Sequence, residues 1–378
     1  MSALANIFNY KNSRQRRIVS WFIPPFLLVL AGMITMNEIG QVNDFFTKQV
    51  VWLLVAGLVY FVLANYDHRP LRRQGIILGL YGFIVVTLLA LFVIGSAFQG
   101  AQSWFDVGFF AIQPADPAKI VIILILAKYL SRRHIEIASL RHVLVSFLYV
   151  VPIVGLLIIQ PDFGSAMVVL AVWLAMLIVS GIPFKRLLML AAIGVSLLAF
   201  AWNFVFLDYQ QDRIKTFFDP YADISGTGYN VYQSLVAVSA GGVMGRGVGE
   251  GTQSRLGFLP ESETDFIFAS FVEEWGIVGA MIVFALFSII IYRLVRAARI
   301  AESNFEALYL LGFASLILIH FALHVSINLG LLPATGITLS FMSYGGSHLI
   351  TLFAGLGLAV TMSNRARYQA TKELGFVE

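Results

Sequence analysis

The sequence predicts an all-α polytopic membrane protein of about ten transmembrane helices, with one long loop between spans 7 and 8. Three observations carry this. Of the 378 residues, 59% are hydrophobic and 12% charged, whereas soluble domains run at roughly 45–50% apolar and about 25% charged. The apolar runs recur at the roughly 20-residue length a helix needs to cross a bilayer. Basic residues alternate from loop to loop, as they do when they set membrane orientation.

The helices are expected at 20–37, 49–65, 74–95, 114–130, 142–159, 163–181, 186–207, 265–294, 306–329 and 344–364. Lys11, Arg14, Arg16 and Arg17 precede the first. Arg69, Arg72 and Arg73 follow the second, and Lys128, Arg132, Arg133 and Arg141 the fourth. Lys185 and Arg186 follow the sixth, Arg293, Arg296 and Arg299 the eighth, and Arg365, Arg367 and Lys372 the tenth. Of 25 basic residues only Lys48, Arg213, Lys215, Arg246 and Arg255 fall on the other side, with Lys119 inside a span. Both termini are therefore expected in the cytoplasm, and one missed helix would scramble the pattern. The polar N-terminus runs into the first span without a small-residue cleavage site, which reads as an anchor and not a cleaved signal.

The chain reads as a single membrane domain, 1–378. It comprises a cytoplasmic N-terminus at 1–19, an extracytoplasmic loop at 208–264 and a cytoplasmic C-terminus at 365–378. The net charge of +4 resides in short loops, so it reports orientation and not nucleic-acid binding. Absence of cysteine excludes disulfides and thiolate metal sites. The long loop holds Arg213, Lys215, Arg246 and Arg255 with Asp208, Asp212, Asp219, Asp223, Glu250, Glu261 and Glu263. Long ordered loops tend to carry function. Within it, 229–240 is amphipathic and too short to span, so it lies in the interface or dips in as a re-entrant helix. No internal repeat is evident, which weighs against an inverted-repeat transporter.

Ionisable residues inside spans are costly, so each needs a reason. Asp116 and Lys119 follow Gln113-Pro114 and share a helix face, either as a structural ion pair or as a substrate contact. Asp162, in Gln160-Pro161-Asp162-Phe163-Gly164, sits in a tight connection where it caps the next helix or meets substrate. Thr264 is expected to cap the eighth span and Asp265 to open it, with the helix dipole stabilising the carboxylate. Asp265 would then lie at the lipid–water boundary beside the basic loop. Glu273 and Glu274 lie about 12–13 Å further along and must face the bundle interior or a wet cavity. Gly245-Arg246-Gly247-Val248-Gly249-Glu250-Gly251 superficially matches a phosphate loop but belongs to no strand–helix unit. Its glycines instead let the chain turn tightly near the membrane. His320 and His324 share a helix face without an evident third ligand, so they are expected to pack or hydrogen-bond.

These segments together resemble the SEDS family of RodA, FtsW and SpoVE. The resemblance rests on Phe258-Leu259-Pro260-Glu261, Thr264-Asp265-Phe266-Ile267-Phe268-Ala269, Glu273-Glu274 and Gly276. It extends to Phe218-Asp219-Pro220, Gly228-Tyr229, Gln233-Ser234, Gly241-Gly242 and Gly245. Gln160 through Gly164, Asn328, Pro333, Gly336 and Ser343-Tyr344-Gly345-Gly346-Ser347 complete it. The motifs occur in family order across nearly the whole chain, and Gly251-Thr252-Gln253-Ser254 is similar to the RodA branch. The chain departs from the pattern at four places. Ser103 replaces the arginine before Trp104, Ala115-Asp116 replaces Ser-Glu, Thr338-Leu339-Ser340-Phe341 replaces Pro-Leu-Pro-Phe, and His348 replaces a serine. Ser103 leaves any phosphate contact by that arginine in question.

The resemblance implies a SEDS-type bundle in the bacterial cytoplasmic membrane that polymerises lipid II and lipid-linked glycan on the outer face, in elongation and cell shape. The α-linked donor and β-1,4 product make the reaction an inverting displacement of undecaprenyl diphosphate. Asp265 is the expected base for the acceptor hydroxyl. Arg213 and Arg246, then Lys215 and Arg255, are the expected diphosphate contacts. Asp116, Lys119, Asp162, Gln233, Ser234 and Glu261 are further substrate candidates, while Glu273, Glu274 and Trp104 are expected to be structural. The sequence establishes no cofactor; the plentiful outer carboxylates could hold a divalent cation, Mg or Mn, to share the leaving-group charge. The implied partner is a class B penicillin-binding protein. A lipid flippase would instead depend on midplane residues such as Glu274 and Lys119, and a scaffold would tolerate loss of Asp265.

Overall fold

The computed structural model of the protein describes residues 2–39, 45–98, 101–106, 108, 111–131, 140–204, 211, 215 and 227–373. Ten long helices occupy the ten expected stretches. They are α1 (Ser2–Ile39), α2 (Phe45–Asn65), α3 (Gln74–Ile94), α4 (Ala115–Ser131), α5 (Leu140–Ile159), α6 (Phe163–Val179) and α7 (Phe184–Phe204). After a helix α8 (Thr227–Gly241) and a single turn α9 (Thr252–Arg255) come α10 (Ile267–Arg299), α11 (Asn304–Asn328) and α12 (Gly346–Glu373). Seven of the ten are long and apolar enough to cross a membrane by length and composition alone. This is a multi-pass membrane protein.

Position in the bundle explains the composition of each helix. α4 is apolar nearly all round and is buried along almost its whole length, packed by α3, α5, α6, α11 and α12. A helix that is hydrophobic on every side belongs at the centre. α3 instead leaves Phe83, Val86, Leu89 and Val93 exposed, as a helix facing lipid acyl chains does. Because ten helices alternate in direction, the start of α1 and the end of α12 share one end of the bundle. There Arg14 donates to the carbonyl of Asn65, Thr361 to that of Tyr66, and Arg293 of α10 to that of Ser20.

The all-α expectation needs one correction. Between α3 and α4 the chain forms a small antiparallel sheet, β1 (Ser96–Phe98), β2 (Ala101–Asp106) and β3 (Ala111–Ile112). Ser96 pairs with Trp104 and Phe105 with Ile112. The segment is too short to span, so the backbone groups of its strands pair with one another. Trp104 sits on the middle strand, half-buried, and the buried Ser103 hydroxyl donates to the Gln160 carbonyl at 3.4 Å. α8 realises the amphipathic reading of 229–240. It packs on α10 and α11, burying Ser234 and Ala237 and leaving Tyr232 and Leu235 exposed.

Candidate active site

The site gathers at the end of the bundle opposite the termini, where several helices begin or stop together. Asp265 lies in a turn over 260–266. The amides of Thr264 and Phe266 both donate to the Glu261 carbonyl, at 3.2 and 3.1 Å. Glu261 takes φ 50°, a conformation that side chains rarely adopt. Its carboxylate accepts from the Thr264 hydroxyl at 2.9 Å. This corrects the capping expectation. Thr264 bonds backward to Glu261, Phe266 occupies the cap position without a side-chain bond, and α10 opens at Ile267. The turn's own hydrogen bonds keep Asp265 just ahead of the helix and not inside it.

Asp265 is positioned through its backbone. Asn328, the last residue of α11, donates its side-chain amide to the Asp265 carbonyl at 2.9 Å and accepts from Ala269 N at 3.0 Å. Ser343 donates to the Thr264 carbonyl at 2.7 Å, and Tyr344 N donates to that of Glu263 at 2.9 Å. The half-buried carboxylate of Asp265 overlies Gly336, where a Cβ would stand 3.6 Å from Oδ2. Gly336 has φ 70°, so the loop passes under the carboxylate in a conformation suited to glycine. Burial pushes the Glu263 carboxyl above the usual carboxylate range.

Beneath that loop runs a buried polar column. Lys119 donates to Asp116 Oδ1 at 3.1 Å, and His348 Nδ1 lies 3.1 Å from the same oxygen. The His348 ring packs on His320, with centroids 4.9 Å apart. His320 and His324 bond the carbonyls of Thr338 and Ile337 through Nδ1, at 3.2 and 2.8 Å. The histidines thus serve the hydrogen-bonding part expected of them. They tie the Asp116–Lys119 ion pair to the strand of loop beside Gly336. His348, which departs from the family pattern, supplies the aspartate's second partner. Asp162 caps α6 by accepting from Ser165 N at 3.0 Å, and it also accepts from the Gln113 side chain at 2.9 Å. Gly164 brings α6 against the same loop, since a Cβ there would meet the Thr335 carbonyl at 2.6 Å.

The second feature is a splice in α10. Gly276 breaks the helix with φ 65° and ψ −166°. The amides of Ile277 and Val278 donate to the carbonyls of Gly242 and Val243, at 3.0 and 3.2 Å. The carbonyls of Glu273 and Glu274 accept from Arg246 N and Gly247 N, at 3.0 and 3.1 Å. Residues 242–247 are therefore inserted into the helix ladder, and these groups keep partners, as a membrane interior demands. The approach is backbone to backbone. A Cβ on Gly245 would fall 2.0 Å from the Glu274 carbonyl oxygen, and one on Gly276 would fall 2.3 Å from Gly245 N. That is the use of the glycine-rich run, in place of a phosphate loop.

Glu273 and Glu274 fasten the same segment. The Glu273 carboxylate accepts from Gln253 N at 2.8 Å, Ser254 N at 3.2 Å and the Ser254 hydroxyl at 3.0 Å. Glu274 accepts from Gly249 N at 3.1 Å. Both are buried, as expected, and their carboxylates turn toward the loop. Lys119 lies one turn into α4 and Glu274 two turns into α10, so neither stands at the middle of its helix. Ser234 donates to the Asn328 carbonyl at 2.8 Å and so braces the residue that holds Asp265. Gln233 is half-buried beside it.

Among the expected cations, Arg246 bonds the Ala240 carbonyl and the Thr252 hydroxyl, at 3.3 and 3.1 Å, on the exposed side of the spliced loop. Arg255 bonds the Gly249 carbonyl at 2.8 Å and Lys215 is exposed. Arg213, with Asp208, Asp212, Asp219 and Asp223, lies outside the described residues. Among the described residues no three histidine or carboxylate side chains come together to hold a metal ion. Asn328 and Gln113 are the organising residues that site reasoning from sequence passed over. Their signal was an amide at the boundary of an apolar helix, where an unbonded polar group is costly.

The chain was compared with known proteins. The family model for cell cycle proteins of the FtsW, RodA and SpoVE type matches residues 16–368. Stage V sporulation protein E of Bacillus subtilis is 34% identical over 352 residues, 90% of this chain and 95% of that protein. Peptidoglycan glycosyltransferase MrdB of Escherichia coli is 31% identical over 336 residues, covering 89% of this chain and 90% of its own. A chain from a peptidoglycan synthase complex, described as coordinating polymerization and crosslinking, superposes with a TM-score of 0.79 at 31% identity, covering 93% of this chain and 98% of that one. The rod shape determining protein RodA of Thermus thermophilus gives 0.69 at 29% identity, covering 93% and 97%.

Proposed function

The chain belongs to the FtsW, RodA and SpoVE family, and from that premise we propose that it is a peptidoglycan glycosyltransferase. It polymerises lipid II into β-1,4 glycan strands on the outer face of the bacterial cytoplasmic membrane. The observation that carries this reading is Asp265, a half-buried residue just ahead of α10 whose own carbonyl is held by Asn328 and whose neighbour's carbonyl is held by Ser343.

In the reaction, Asp265 takes the proton from the 4-hydroxyl of the acceptor disaccharide. The hydroxyl oxygen forms a bond to the anomeric carbon of the donor while the bond from that carbon to the diphosphate breaks. Undecaprenyl diphosphate leaves from the opposite face, so the α-linked donor becomes a β-linked product. Arg246 and Arg255 meet the diphosphate with their charge, joined by Arg213 and Lys215 of the same loop. Asp116, Lys119, Asp162, Gln113 and Ser234 support the loop and helix ends around Asp265. The irregular turn and the glycine-borne loop keep these groups at the lipid boundary, where a polyprenyl substrate presents its head group. A class B penicillin-binding protein supplies crosslinking as partner, and both termini face the cytoplasm.

A flippase would need polar side chains lining a path through the bundle. Glu274 is bonded to Gly249 and Lys119 to Asp116, both near one end. The test is polymerisation of lipid II by purified, reconstituted protein, with and without the partner. Asp265→Asn is expected to lower turnover by about 10²–10⁴-fold, the range for losing a general base, while thermal stability holds. Equal product from both proteins would remove Asp265 as base.

A further inference from the structure

We propose that the opposite end of the bundle carries a binding site for the phosphodiester head group of an anionic phospholipid. Residues 17–21 of α1 and 293–300 at the end of α10 border an open cavity of about 200 Å³, with Ser363 of α12 beside it. Arg17, Arg293 and Arg296 all line it, together with Ser20 and Trp21. No carboxylate is among the described residues of its wall. Arg293 gives one N–H to the Ser20 carbonyl, and the further guanidinium donors around this small space match phosphate oxygens. The Ser20 and Ser363 hydroxyls donate to the Arg17 and Val360 carbonyls, and their lone pairs can accept from the hydroxyls of a glycerol head group. The volume falls short of the roughly 300–1,000 Å³ of sites for drug-sized ligands, so a head group fits and the rest of the lipid stays outside.

The two walls also provide for the acyl chains. On α1, Ile23 and Leu27 lie three and seven residues beyond Ser20, on the same side of the helix, and both are exposed. On α10, Ile289 stands four residues before Arg293 and seven before Arg296, and it too is exposed. Each wall thus changes from basic to apolar as it leaves the pocket toward the middle of the membrane. A free phosphate would use only the basic part, whereas a phospholipid uses both. Trp21 stands at the change, where amphipathic aromatic rings anchor proteins to the interface. Basic pockets between membrane helices are a known setting for anionic lipid head groups. Assigning the pocket to the cytoplasmic leaflet rests on the orientation proposed above, but the site itself does not.

The experiment is native mass spectrometry of the full-length protein in neutral detergent with equimolar phosphatidylglycerol and phosphatidylcholine. The protein should retain phosphatidylglycerol about tenfold better, a preference worth ~1.4 kcal/mol. Arg296→Gln, an exposed side chain whose loss leaves the fold intact, should bring retention close to parity. Arg293→Gln added to it should abolish the preference. Asp265→Asn should keep the preference, and Arg296→Gln should keep polymerase activity in neutral detergent, so the two readings fail separately. Equal retention of both lipids by the native protein would overturn the proposal. So would an unchanged preference in the double variant. Complete displacement of the lipid by glycerol 3-phosphate would reassign the pocket to a soluble anion and overturn it as well.

Discussion

The two ends of the bundle solve the same problem by different means. At the end bearing the termini, side chains do the fastening, pairing with each other and with carbonyls at helix ends. His68 Nε2 lies 2.6 Å from Glu306 Oε1, Arg72 bonds the same carboxylate oxygen, and Lys128 donates to the Arg72 carbonyl. These contacts pin the short link between α2 and α3 to the first turn of α11 and the last turn of α4. The helices there remain regular. At the site end, buried side-chain pairs such as Asp116–Lys119 are joined by backbone groups whose partners come from another stretch of chain. α10 gives up part of its own ladder to residues 242–247, and Asp265 is held by its carbonyl and by its neighbours'. Ion pairs between regular helices suffice for fastening. Asp265, the proposed base, is fastened through the backbone of its turn. That arrangement works only where glycine admits the approach.

The largest effect that would break this contrast is at Gly276. Alanine there would put a Cβ 2.3 Å from Gly245 N with φ at 65°. A loss exceeding about 4 kcal/mol is expected, the range reserved for structural disruption. Little folded protein should be recovered by size-exclusion chromatography of detergent extracts. A well-folded Gly276→Ala protein would mean that the splice is dispensable. Next comes Glu306→Gln at the other end. Removing the buried charge strands His68 and Arg72 and should cost about 3 kcal/mol. Thermal unfolding should show the loss, while turnover per folded molecule should stay near the native value. A selective loss of turnover would erase the division between a fastening end and a chemical end.

Asn328→Ala is expected to be smaller in stability, about 1–3 kcal/mol for the buried groups it leaves unbonded. Its distinguishing mark is kinetic. Turnover should fall at saturating lipid II while apparent affinity holds, because the variant releases the Asp265 carbonyl and leaves the cationic loop intact. The smallest effect is expected at Glu263. Its folded-state pKa is raised by burial, so the protonated carboxyl favours the fold. That contribution is complete below the unfolded pKa, near 4.3 for a free glutamate, and is lost as pH rises through the folded value. Glu263→Gln should therefore melt slightly higher than the native protein at neutral pH. The gap should close as pH falls toward 4, as read by melting curves across that range.

Sequence reasoning reached the helices because crossing a bilayer imposes a length and a polarity on each one separately. The ten expected stretches and the amphipathic α8 follow from that local rule, and so does the burial of Glu273 and Glu274. Asp116 and Lys119 were legible as a pair because three residues along a helix return to the same face. Thr264 was misjudged because a cap is decided by competing hydrogen bonds, and Glu261 won that competition. The strands at 96–112 were missed because pairing across so short a segment leaves almost no periodic signal.

The sequence by itself determined which residues must avoid lipid and which must turn tightly, since both follow from each side chain's own chemistry. Only the tertiary structure decided their partners. It joined His348 to Asp116 across 232 positions of chain and Ser343 to the Thr264 carbonyl across 79. It also set Asn328 against the Asp265 carbonyl and Gly245 inside the ladder of α10. A hydrogen bond between distant segments leaves no mark in the local pattern of either one. It exists only once packing has brought the two together.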